Sequence, residues 1–252
     1  ITTSVNPPTI CQNQSMTFTN STIAGTYTMN GSCQNSYTYA WLILNSNNQP
    51  SGYTINSGLL GNFYSNPVAG GSPTLNVTFN VPGTYTVRLK AANTTCDPDI
   101  ETITITVNPY PVISSFTGSA ICTGGTFNIS PSASAPNVIP NGTTYIWTAT
   151  PNTLIGGEVN NTSPSSSITG TLTNTTSGAV NQLYTVTPSA GGCVGPPFTL
   201  TVPVFPSINI NDATQTICNG GTFSLTPASG GGNSIPTGTT YTWTVQDNPN
   251  VA

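Results

Sequence analysis

Histidine is absent from this chain, and charge of either sign is nearly so. Arg88 and Lys90 are the two cations, against six acids: Asp97, Asp99, Glu101, Glu158, Asp212 and Asp247. Without histidine there is no Ser-His-Asp or Cys-His nucleophile pair. Acid–base chemistry would fall to the six carboxylates. No copy of the repeat described below carries two of them at matching positions, so no catalytic site is expected. Two cations cannot make a nucleic-acid surface, which needs a basic patch against the phosphates. No apolar run approaches the ~18 residues of a membrane span, so no membrane insertion is expected in this segment. Helix is disfavoured too, because Glu, Lys, Arg, Leu and Met are scarce while Thr, Val, Ile and Tyr are common. A hydrophobic share of 35% with 3% charge borders on the composition of disordered chains. Regular apolar alternation and aromatic anchors point instead to folded strands.

The chain repeats itself. ICTGGTFNISP (residues 121–131) returns as ICNGGTFSLTP (residues 217–227). Cys122 and Cys218, Phe127 and Phe223, Tyr145 and Tyr241, and Trp147 and Trp243 are each 96 positions apart. Unlike residues sharing one offset mark an internal repeat. A looser copy lies upstream, where ICQNQSMTF (residues 10–18) matches ICTGGTFNI. TYAWLI (residues 38–43) likewise matches TYIWTA (residues 144–149) and TYTWTV (residues 240–245). TTSVNP (residues 2–7) echoes TITITVNP (residues 102–109). The expected division is therefore four-part. Residues 1–7 are the last strand of a preceding repeat, and residues 8–108 and 109–205 are two complete repeats. Residues 206–252 are the truncated start of a third. The sequence is expected to be a piece of a longer protein. About 96 residues suffice for one small core per repeat.

Six cysteines at repeat-linked positions, without histidine or a CxxC pair, read as disulfides and not as a zinc site. Disulfides place the chain outside a reducing cytosol. In the second repeat, strands are expected near residues 112–117, 126–130, 143–150, 167–173, 182–188 and 198–204, divided by Gly, Pro and Asn clusters. In the first, LNVTFNVPGTYTVRLKA (residues 75–91) reads as strand, Pro-Gly turn, strand. Short strands with a tryptophan on the third and a tyrosine opening the sixth predict an all-β fold of tandem immunoglobulin-like sandwiches. The linkers VNPYP (residues 107–111) and VPVFP (residues 202–206) are short and stiffened by proline, which favours a rod.

VPGTYTVRLKAANTTC (residues 81–96) resembles the penultimate strand and turn of PKD domains, and TYIWTA resembles their third strand. The aspartate- and glycine-rich turn of that family is missing after all three tryptophans, so the resemblance is to a PKD-like branch. The series ICxGGTF, GTTYxWT, LYTVTP and GGCVGPPF is similar to repeats of the giant secreted SprB-type adhesins of gliding Bacteroidetes. That resemblance implies an extracellular, cell-surface shaft exported by the type IX route and serving adhesion or motility. Its partners would be neighbouring repeats of the same chain, with surface polysaccharide or other cell-surface proteins as further candidates. The alternatives are an accessory glycan-binding module of a secreted polysaccharide-degrading enzyme and a self-assembling surface filament subunit.

Trp41, Trp147 and Trp243, with Tyr85 and Tyr184, are expected core residues, because a repeated tryptophan on the third strand usually plugs a sandwich. Tyr53, Phe63 and Tyr64 lie in an insert (residues 51–71) without a close counterpart in the second repeat, and are candidate ligand contacts. Asp97, Asp99 and Glu101 alternate on one face and form a weak calcium candidate; no other cofactor is implied. GGGNSIPTGTT (residues 230–240) lacks the lysine and helix of a phosphate loop and reads as a connection. Sequons such as those at Asn76, Asn128 and Asn174 arise by composition alone.

Pairing within each repeat would join Cys11 to Cys96 and Cys122 to Cys193. In an immunoglobulin-like sandwich the second and sixth strands run parallel on opposite sheets. Cys122, before the second, and Cys193, after the sixth, should then sit ~25–30 Å apart, beyond the ~7 Å Cα separation a disulfide allows. The expected pairs are Cys11–Cys193 between repeats and Cys33–Cys96 within one. Cys122 and Cys218 are left for partners in other repeats.

Overall fold

The computed structural model describes residues 1–4, 8–21, 38–65, 70–92 and 99–247. Every regular element among them is a strand. Two compact units result. The first comprises Ile1–Val112, Val138–Thr143 and Ser189–Gly195; the second comprises Ile113–Asn137, Thr144–Pro188 and Pro196–Ala252.

The strands up to residue 108 are β1 (Thr2–Thr3), β2 (Thr9–Cys11), β3 (Ser15–Thr19), β4 (Thr38–Asn45), β5 (Tyr53–Ser57), β6 (Thr74–Phe79), β7 (Gly83–Ala92) and β8 (Asp99–Asn108). They form two four-stranded sheets, β1-β3-β6-β5 and β2-β8-β7-β4. Alternation decides which side chains go between them. Met16 and Phe18 of β3, with Leu75, Val77 and Phe79 of β6, face Trp41 and Ile43 of β4, Tyr85, Val87 and Leu89 of β7, and Ile105 and Val107 of β8. Each large side chain buried this way contributes roughly 1.5–3 kcal/mol. The intervening threonines and asparagines stay on the outer faces. There they bond across strands, as Asn76 Nδ2 does to Thr17 Oγ1 at 2.8 Å and Asn80 Nδ2 to Thr54 Oγ1 at 2.8 Å. Such cross-strand pairs stabilise a sheet without charge.

Downstream lie β9 (Phe116–Thr117), β10 (Ile121–Cys122), β11 (Gly125–Ile129), β12 (Thr144–Ala149), β13 (Ile155–Gly156), β14 (Asn161–Ser165), β15 (Ile168–Asn174), β16 (Val180–Ala190), β17 (Cys193–Val194) and β18 (Phe198–Phe205). One sheet runs β10-β18-β16-β12-β14, with β9 beside β18 and β17 beside β16; the other runs β11-β15-β13. The order matches the first unit: β2 lies parallel to β8, and β10 parallel to β18. Phe127, Trp147, Leu172, Tyr184, Val186 and Leu200 are among the buried residues. This is the immunoglobulin-like sandwich, in two copies.

Three features of the structure bear on the four-part division. Thr2 and Thr3, expected to close a preceding repeat, lie in the first compact unit. Their backbone pairs antiparallel with Thr19 and Phe18, on the edge of β3. The Ser189–Gly195 hairpin, though part of the second repeat in sequence, belongs to the first compact unit. Residues 206–247 carry no strand, only isolated bridges such as Asn209↔Ser234. Trp243 is accordingly not a core residue: it is 80% exposed. A tryptophan is buried in this fold by a second sheet, and among the described residues none lies over Trp243.

Candidate functional site

Cys11 and Cys193 are joined by a disulfide, with Cα atoms 5.5 Å apart. Cys11 ends β2, where it pairs with Asn108 at the end of β8. Cys193 opens β17 on the return arm of a hairpin in which Ala190 faces Cys193. The two residues between are Gly191 (φ 56) and Gly192 (φ 81). Two consecutive left-handed residues make a type I′ hairpin, which glycine adopts without strain. Asn108 Nδ2 donates to Gly191 O at 3.2 Å and fixes the turn beside the sulfurs. The alternative pairs Cys11–Cys96 and Cys122–Cys193 are thereby overturned, since each needs a sulfur already committed. Cys33 and Cys96 lie outside the described residues. Cys122 and Cys218 are free and exposed.

Trp41 is buried 6.2 Å from Phe18, and its Nε1 donates to Ser72 O at 2.8 Å. Trp147 is equally buried, yet its Nε1 finds no protein partner. The tyrosines differ in the same way. Tyr85 packs on Phe79 at 4.7 Å, and its hydroxyl sits 3.0 Å from Gly52 O and 2.9 Å from Val81 O, clamping the turn into β5. Tyr184 packs on Phe127 at 5.5 Å with no partner for its hydroxyl. Burial first, and the nearby Glu158 carboxylate second, push the Tyr184 phenol up to about 12. Tyr85→Phe should therefore cost about 1–3 kcal/mol, the usual cost of stranding a buried partner, while Tyr184→Phe at neutral pH should cost little. Because the Tyr184 pKa is raised, ionisation costs the folded state stability that is intact below pH ~10 and lost progressively as pH climbs through about 12. Tyr184→Phe should thus resist alkaline unfolding better than the native chain. Urea titrations at neutral pH and above pH ~10 measure both effects.

The insert separates its three aromatics. Phe63 is not an exposed contact: it is buried among Ala40 and Leu42, with the Lys90 ammonium 5.8 Å from its ring. The same Lys90 Nζ donates to Phe63 O at 3.2 Å. Burying the ring covers the apolar outer face of β4, a gain that exposure to a ligand would forfeit. Tyr53 is half-buried, its ring 6.5 Å from that of Phe79. Tyr64 alone projects, at 79% exposure.

Asp97 of the calcium candidate lies outside the described residues. Asp99 and Glu101 are exposed on β8, and the Glu101 carboxylate pairs with the Ile1 amino group. No group of three His, Cys, Asp or Glu fit to hold a metal occurs among the described residues. Nor is any helix there long and apolar enough to cross a membrane.

A paired two-sheet sandwich whose last strand lies parallel to a short first strand is the context in which the comparisons fall. Residues 119–208 match the PKD-like domain family. This PKD-like region spans β10 to β18, including the Gly-Gly-Cys hairpin. No curated protein matches the sequence. Among solved structures, an I-band fragment of titin aligns with a TM-score of 0.38 at 10% identity, over 79% of this chain and 62% of that one. The insect immune protein hemolin aligns with a TM-score of 0.32 at 13% identity, over 79% and 44%. The chicken CNTN1 FN1-FN3 domains align with a TM-score of 0.32 at 15% identity, over 80% and 65%. The chain thus spans less than two-thirds of each of these structures.

Proposed function

We propose that this chain is a structural segment of a long extracellular cell-surface shaft, of the SprB-type adhesins of gliding Bacteroidetes. It gives reach and stiffness for adhesion or gliding and carries no catalytic centre. The observation that supports this reading best is the Cys11–Cys193 bond. It covalently ties sequence-repeat one to sequence-repeat two across a separation of 182 residues. A cross-link between successive repeats resists extension, which a load-bearing shaft requires and an isolated enzyme domain does not. The bond also suits an oxidising compartment, outside the cell. With 3% charged residues, the sandwiches are held by packing and neutral hydrogen bonds, so their stability is insensitive to salt. In this reading the partners are neighbouring repeats, then surface polysaccharide or other surface proteins. Neither nucleic acid nor the bilayer interior is among them.

A rod is the shape this function needs. Sandwich strands of ~7–10 residues give roughly 30–40 Å per repeat, so the chain should exceed about 80 Å in its longest dimension. Small-angle scattering reads this directly, and a compact globule overturns the shaft. The glycan-binding alternative is favoured by one observation, the exposed Tyr64 ring. It requires retention on a polysaccharide column that Tyr64→Ala abolishes. The filament alternative requires the purified chain to polymerise.

A further inference from the structure

Cys122 occupies in the second sandwich the place that Cys11 occupies in the first. Cys11 ends β2 opposite Asn108, the last residue of β8. Cys122 ends β10 opposite Phe205, the last residue of β18. The backbone frames coincide. Gln12 N donates to Asn108 O at 2.8 Å, and Thr123 N to Phe205 O at 2.8 Å. One residue on, Asn13 (φ 64) and Gly124 (φ 77) both turn left-handed. Their amides reach Phe79 O and Leu172 O, each at 2.7 Å. One sulfur of this matched pair is bonded to a Gly-Gly-Cys hairpin; the other is an exposed free thiol. Beside it Phe205 is 43% exposed, where the first sandwich has the hairpin-holding Asn108.

We propose that Cys122 is a second disulfide position, which receives a Gly-Gly-Cys hairpin from a further repeat of the same kind, with Phe205 as the apolar floor under the turn. This rests on the shaft reading and names the joint that the shaft repeats. In forming the bond, the two S–H bonds break and one S–S bond forms. Two protons pass to solvent, and two electrons reduce the disulfide of an oxidised thiol oxidoreductase to a dithiol. The seat differs from the first in chemistry: the Asn108 amide holds the Gly191 carbonyl, whereas Phe205 offers packing.

The test uses the intact chain, a peptide of residues 186–197 (VTPSAGGCVGPP) and oxidised glutathione as the oxidant. Peptide attached at Cys122 and at Cys218 is quantified by non-reducing mass spectrometry. Cys218 is the internal control, because it is exposed and has the same ICxGG surroundings but no paired strand beside it. Attachment at Cys122 should exceed that at Cys218 by about tenfold relative to each thiol's glutathione adduct, the preference that burying part of the Phe205 ring under the turn confers. Phe205→Asp should erase the preference while leaving the iodoacetamide alkylation rate of Cys122 unchanged. Equal peptide-to-glutathione ratios at the two cysteines, or a preference indifferent to Phe205→Asp, overturns the proposal. Neither result bears on elongation, so the shaft reading fails or stands separately by scattering.

Discussion

Trp41→Ala is expected to destabilise the first sandwich by about 3–5 kcal/mol, enough to unfold a marginal domain. The indole is 1% exposed and packs against Phe18 of the opposite sheet. Its removal leaves a cavity that paired strands cannot collapse to fill. Trp147→Ala should cost a similar amount in the second sandwich, where the ring is 5% exposed. Phenylalanine replacements separate the two. Trp41→Phe strands the Ser72 carbonyl and should cost about 1–3 kcal/mol beyond the lost volume. Trp147→Phe removes a nitrogen that has no protein partner and should cost less. Trp243→Ala should stay within about 0.5 kcal/mol, as exposed substitutions do. Denaturant unfolding followed by circular dichroism checks all of these. If Trp147→Ala left the midpoint unchanged while abolishing binding to a surface, the ring would be a ligand platform and not a core plug.

Reducing Cys11–Cys193 should lower the stability of the first unit by about 2–5 kcal/mol. The separation of 182 residues makes the loop-closure entropy large. The upper end applies when the whole loop is unfolded, and the lower end when the second sandwich stays folded inside it. Cys11→Ser should reproduce the effect of dithiothreitol, and the reductant should add little to that variant. Hydrogen exchange locates the loss: amides of β2 and β8 should exchange faster, while those of β11 and β15 stay as protected as before. Uniform acceleration across both sandwiches would mean the bond stabilises something other than the hairpin's attachment.

Much of the fold was readable from periodicity. TYIWTA and LYTVTP alternate apolar and polar residues because each strand has one face in a core, and this pattern survives in any two-layer packing. Strand edges were less legible. β16 runs to Ala190 and β18 to Phe205, past the expected ends, because pairing with neighbours prolongs a strand beyond its apolar run. The two-residue strands β10 and β13 have too few side chains to show a period at all.

The 96-residue offset, the two all-β repeats and the lack of histidine and cations follow from the amino-acid order alone, since they depend only on residue identity and spacing. Tertiary structure decided whatever depends on the presence of a partner. TYTWTV shares the Thr-Tyr-x-Trp-Thr pattern of TYIWTA, yet Trp243 is exposed, because burial requires a second sheet. Phe63 and Tyr64 are neighbours of like character. One is buried and the other projects, because Lys90, Ala40 and Leu42 offer a pocket to the first alone. Strand order and direction already pointed to Cys11–Cys193 as the pair; the left-handed turn at Gly191 and Gly192 and the Asn108 hydrogen bond that hold it come from three-dimensional placement, which no local spacing encodes.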